Sequence, residues 1–315
     1  MDASLVKIDN VIAWDGAKAP FVENYSFFLQ DPHKDWSLCI RFSFEVASLQ
    51  SPKLGVVEAF FQNAAGERQA FRQEYNLDDH DIVHADKFVD IGGCYLSLAD
   101  SMGTLHAGNN TLKWECVFED PVVSQRPFPD IFYPFAFPRY KMVYPRFLNF
   151  ARGQFFINHK KYEFSRIRVC QNHGYGKQLP QSLNVHAVGF EQDSTAVFSL
   201  FAPRFVSKKG LMPYLPCVIF SMEGKTFVDQ PLSRFLFQRS LNVTDFGFDL
   251  TFHKRPYRFL ASMACQPEHN FALSDGALLN IFADLRIEVQ KKSHGIWQTY
   301  KVLTSSSPAV CIKKV

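Results

Sequence analysis

The chain has 315 residues, enough for two ordinary domains or one large β domain. Its hydrophobic fraction of 47% supplies a sizeable core. A formal net charge of +3, with no basic run longer than pairs such as Lys208-Lys209 and Lys291-Lys292, gives no reason to expect nucleic acid as a partner. The N-terminal MDASLVKIDNVIAWDG lacks a charged leader followed by an apolar run, and no stretch approaches membrane-helix length. The seven cysteines are odd in number, scattered and free of CxxC pairs. Reduced thiols in a cytoplasmic protein are the economical expectation.

In chain order, the first thirty residues are mixed, with the aromatic Tyr25-Ser26-Phe27-Phe28 bracketed by Pro20 and Pro32. Leu38, Ile40, Phe42, Phe44 and Val46 then alternate with Cys39, Arg41, Ser43 and Glu45, the period of two of a half-buried strand. Val56 to Gln62 forms its hairpin partner. Gly66 to Asp81 is polar and reads as a short helix or a long loop. Lys87 to Asp90 and Cys94 to Leu98 are strands broken or bulged at Gly92-Gly93. Gly108-Asn109-Asn110 is a hairpin turn between Leu105–Ala107 and Thr111–Glu119.

Pro121 to Phe150 carries six prolines among many aromatics, which argues against a long helix or a central strand. It reads as an aromatic connector packed against both halves. Beyond it, Gly153–Ile157 and Lys161–Phe164 are two short strands, followed by the turn-rich Asn172-His173-Gly174-Tyr175-Gly176 and by Pro180. Asn184 to Phe190 and Thr195 to Ala202 form the next hairpin. Strand candidates continue through Leu215–Met222, Asp245–Phe252, Tyr257–Cys265, Leu278–Gln290 and Trp297–Leu303. The expectation is an all-β chain of two antiparallel barrels or sandwiches packed together. Residues 1–150, with the connector over 121–150, make the first and 151–315 the second.

One resemblance adds to this reading. Gly153, Tyr162, Phe164, His173, Gly176 and Pro180, with Tyr175 where tryptophan is usual, stand in an order that resembles the tocopherol cyclases, carotenoid hydratases and their relatives. It implies a pair of lipocalin-like barrels around an apolar ligand. It also implies an acid role for His173, giving a proton to a carbon–carbon double bond.

From the residues themselves, His173 can exchange a proton near neutral pH, and Tyr175 two positions on would share its side in an extended segment. The plainer alternative is a loop held by hydrogen bonds. Asn172 and Lys177 flank the pair, while Asn184 and His186 on the next strand are candidate lumen-facing ligand contacts. Glu163 is a candidate acid only if it points inward. Asp79, His80 and His84 lack the spacing of a built metal site, so no metal is expected. No phosphate loop, dinucleotide fingerprint or nucleophile elbow occurs. The sequence thus points to a cyclase, hydratase or isomerase acting without a cofactor on a prenyl, polyene or polyketide-like molecule. A carrier of lipid or pigment with the same barrel is the alternative. Such ligands also leave room for peripheral membrane contact.

Overall fold

The computed structural model describes residues 11–31, 35–77, 87–119, 124–135, 138–207, 210–230, 240–245, 247–305 and 309–314. Asp79, His80 and His84 lie outside them. The described residues contain no α-helix, only 3-10 turns at Asp130–Phe132 and Pro267–His269. The main break between two compact units falls between Leu179 and Pro180.

The first unit is one antiparallel sheet of ten strands: β1 (Phe21–Gln30), β2 (Trp36–Val46), β3 (Lys53–Asn63), β4 (Arg68–Leu77), β5 (Lys87–Ile91), β6 (Cys94–Ser97), β7 (Asp100–Ala107), β8 (Asn110–Phe118), β9 (Tyr140–Ile157) and β10 (Lys160–Gly176). Their order is β4-β3-β2-β1-β10-β9-β8-β7-β6-β5. Pairing of β1 with β10 joins the two ends of the meander. The sheet curls until β3 meets β5, and Gly55 is small where Leu77 and Ile91 pack against it. Alternation fills the interior with Phe42, Phe44, Phe61, Trp114 and Phe155, all buried. Full burial of one such side chain contributes about 1.5–3 kcal/mol.

The second unit has β11 (Gln181–Phe190), β12 (Asp193–Arg204), β13 (Val206–Ser207), β14 (Gly210–Leu211), β15 (Cys217–Met222), β16 (Lys225–Asp229), β17 (Ser240–Thr244), β18 (Gly247–Lys254), β19 (Tyr257–Ala264), β20 (Asn270–Ala272), β21 (Ala277–Ser293), β22 (Ile296–Thr304) and β23 (Ala309–Lys314). The main path runs β16-β15-β12-β11-β23-β21-β19-β18-β17, with β20 and β22 also on β21. Its core holds Phe198, Phe220, Phe248, Phe252 and Phe259.

Four sequence expectations change. Phe21–Gln30 is a central strand, and Arg68–Leu77 is a strand whose polar alternate residues face water. Tyr140–Ile157 is a strand of eighteen residues containing Pro145. The proline is tolerated because the β9–β10 register shifts on either side of the Arg146↔Gln171 pair, so the ladder is already interrupted there. The boundary expected near 150 moves to 179/180, because β9 and β10, despite their register shifts, pair along their length within the first sheet. Within the aromatic run, Phe128, Tyr140, Tyr144 and Phe147 are buried while Phe135 is exposed.

Candidate functional site

Residues 172–176 are not a loop. They finish β10, in register with β1: Tyr25 lies opposite His173, and Glu23 opposite Tyr175. Gly174 belongs to the other face, where an added Cβ would come within 2.0 Å of the Tyr140 hydroxyl. That close approach explains a glycine between His173 and Tyr175.

Alternation along β1 puts Phe21, Glu23, Tyr25 and Phe27 on the core face, so a carboxylate enters an aromatic interior. Glu23 is wholly buried and His173 nearly so, with Nε2 2.7 Å from Glu23 Oε1. The same oxygen accepts the Tyr25 hydroxyl at 2.8 Å and the Ala13 amide at 2.8 Å, while Oε2 accepts the Trp14 amide at 3.1 Å. With Glu23 as acceptor, Nε2 of His173 carries the hydrogen. The imidazole stacks on Tyr25, centroids 4.2 Å apart and planes 8° apart, and meets Tyr175 at 5.0 Å. Burial pushes the Tyr25 phenol well above its usual pKa, and the Glu23 charge adds to that. Tyr25 therefore stays a neutral donor.

The cluster is closed by the segment before β1. Trp14 is buried, edge-on to Phe44 at 6.2 Å, with its indole N–H donated to the Lys18 carbonyl at 2.9 Å. Two amides of this segment end on Glu23, so the carboxylate fixes both the histidine and the segment above it. Deeper in the interior, Arg146 is fully buried, donates to the Gln171 amide oxygen and the Leu98 carbonyl, and lies 4.6 Å from the Phe118 ring. Gln171 precedes His173 by two residues on the same strand face, roughly 7 Å along the backbone.

The structure brings His173 and Tyr175 together and separates the other candidates from them. Asn172 points to the opposite face, toward Cys170 Sγ at 3.7 Å. Lys177 is exposed, and so is Glu163, which pairs with Lys161 at 2.8 Å. Asn184 and His186 lie on β11 in the second unit, and they do not face its lumen. Leu183, Val185 and Ala187 take the core positions, so the polar alternates point the other way. The His186 Nδ1 is 3.5 Å from Ser199 Oγ. Among the described residues no group of three or more His, Cys, Asp or Glu gathers to hold a metal ion.

Glu23, Tyr25, Arg146 and Gln171 were missed by sequence reasoning. The available signal was a carboxylate on the apolar phase of FVENYSFFLQ.

Burial pushes the His186 imidazole down to about 3. Its unfolded value is 6.5, so below that pH the unfolded chain binds a proton that the folded chain refuses. Stability is therefore lost as pH falls from 6.5 toward 3. From this site alone the loss is about 2 kcal/mol by pH 5. Urea unfolding at pH 7 and pH 5 should show a smaller difference in His186→Gln by about that amount. An unchanged difference would mean that His186 charges in the folded state.

No family model matches the sequence, and no curated protein matches it either. Solved structures do match the fold. An AttH-like protein of Nitrosomonas europaea superposes with a TM-score of 0.57 at 9% identity, over 96% of this chain and 97% of that one. Kievitone hydratase from Nectria haematococca gives 0.57 at 10% identity, over 92% and 88%. CghA with Sch210972 gives 0.51 at 10% identity, over 94% and 89%. The chain is thus an all-β protein of the lipocalin-like fold class that also houses a hydratase. At these identities the likeness concerns the fold.

Proposed function

We propose that the chain is a cofactor-independent cyclase, hydratase or isomerase that protonates an apolar small molecule, with His173 as the acid. The observation that carries this reading is the 2.7 Å contact between a wholly buried Glu23 and a nearly wholly buried His173 inside an aromatic interior. A buried ionisable pair is a poor way to gain stability, because desolvation offsets the attraction and apolar replacements do as well or better. Such pairs concentrate where proton transfer is needed. The fold supports the reading in a coarser way, since one structural relative is by name a hydratase.

In the proposed chemistry the imidazolium delivers a proton to one alkene carbon of the substrate. The electron pair of the double bond forms the new C–H bond, and the neighbouring carbon becomes cationic. An internal nucleophile or water captures that carbon and releases a proton, which returns to His173. The step is redox-neutral. Glu23 holds the imidazole in place, while Tyr175 presents a ring face to a passing cation.

The test uses wild type and His173→Ala, each incubated in D2O with a prenylated phenol and with a linear polyene. Products are read by mass spectrometry. The expected result is deuterium on a product carbon with wild type alone, with unchanged mass otherwise or with gain of one water. Both ligands bound but returned unaltered and unlabelled would make the protein a carrier and overturn the catalytic reading.

A further inference from the structure

Two hairpin turns of the second unit lie side by side. Between β18 and β19 the chain turns through Arg255 and Pro256, and between β21 and β22 it turns through His294 and Gly295. Tyr257 pairs with Lys291, and the Lys292 amide donates to the Pro256 carbonyl at 3.0 Å, so the two turns form one tip.

The tip is basic. The first turn contributes Lys254, Arg255 and Arg258, and the second Lys291 and Lys292. Neither Leu250–Leu260 nor Val289–Tyr300 contains an Asp or Glu. These five positive charges outnumber the acids that bond to the same strands, Glu288 through Gln290 and Thr299 and Glu223 through Tyr300, so the tip is net positive. Lys254, Arg255, Lys291 and Lys292 are all exposed.

The same tip is apolar at its end. Ile296 is 66% exposed, the most exposed large hydrophobic side chain among the described residues. Beside it the Trp297 ring lies 5.0 Å from the Arg258 guanidinium and 5.9 Å from the Lys292 ammonium. Trp297 also packs edge-on to His253, at 5.7 Å, whereas Ile296 gains nothing from facing water. Exposed cations on the same tip as an exposed aliphatic side chain and an indole match an anionic bilayer surface, where headgroups meet the charges and the interface accepts the apolar groups.

We propose that this double-hairpin tip docks the protein on an anionic membrane surface. The proposal stands independently of the acid–base reading, and gives an apolar ligand a source next to the protein.

The experiment is cosedimentation of the full chain with phosphatidylcholine vesicles, either pure or with roughly one third phosphatidylserine. Wild type should bind the anionic vesicles, and binding should weaken with added salt. Each basic side chain strengthens such partition about fivefold, so Lys291→Ala with Lys292→Ala should weaken it about 25-fold. Ile296→Ser should weaken it about tenfold through the lost apolar insertion. All three positions are exposed, and unchanged thermal unfolding would show that the fold is kept. Absent binding, equal binding to neutral vesicles, or variants that bind like wild type would overturn the proposal. Tighter binding to a DNA duplex than to vesicles through the same lysines would also overturn it, by giving the patch to nucleic acid.

Discussion

His173→Ala is expected to lower turnover by about a hundredfold or more, the usual loss when a positioned general acid is removed. The fold should survive, because Glu23 keeps the Ala13, Trp14 and Tyr25 donors. Glu23→Gln should cost nearly as much through a different route. In the proposed reaction Glu23 touches the imidazole rather than the reacting carbon, which would make it a positioning residue. The pair should therefore behave as one unit, with the double variant losing no more than His173→Ala alone. Steady-state rates for the four proteins, with ligand affinity measured alongside, check this. Losses that multiply would separate Glu23 from the chemistry. Rates that stay at the wild-type level would leave the cluster as a hydrogen-bonded piece of core.

A second large effect is expected on the other face of the same sheet. Arg41 Nη1 lies 2.9 Å from Glu58 Oε2, with both side chains buried, and Nη2 donates to Asn24 Oδ1 at 3.0 Å. Strand pairing places Arg41 directly opposite Glu58. Glu58→Leu leaves the guanidinium without this carboxylate in a buried site and should destabilise the protein by about 3–5 kcal/mol. Adding Arg41→Met should recover most of that, since removing both charges is close to neutral where removing one is not. Urea unfolding of the two single variants and the double variant measures the difference. A single variant within about 0.5 kcal/mol of wild type, the range of an ordinary surface change, would show that the pair is solvated.

Much of the fold was legible in the residues because alternation is a local property. Leu38 to Val46 announces its buried face with every second residue, and Gly108-Asn109-Asn110 announces its turn. Two kinds of segment misled. Arg68–Leu77 has a water-facing strand side, so its polarity resembles a loop. Tyr140–Ile157 contains a proline that would exclude a regular central strand, and only the shifted register beside it makes room. The candidate site divides in the same way. His173 and Tyr175 stood out as two rings two positions apart. Glu23, 150 residues earlier, gave a signal only as a charge on the apolar phase of a strand that had not been recognised.

By itself the sequence determined that the chain is all-β, because its period-two alternation and turn residues act over a few positions. It also determined that Leu38, Ile40, Phe42 and Phe44 share a buried face. Only the tertiary structure decided which strands are neighbours. Pairing of β1 with β10 sets Glu23 beside His173. Alternation on β11 could put His186 on either face, and the packing of Leu183, Val185 and Ala187 into the second core turned it away from the lumen. Register depends on contacts between residues far apart in the chain. A shift of one residue would exchange the faces and dissolve the cluster without altering the local pattern.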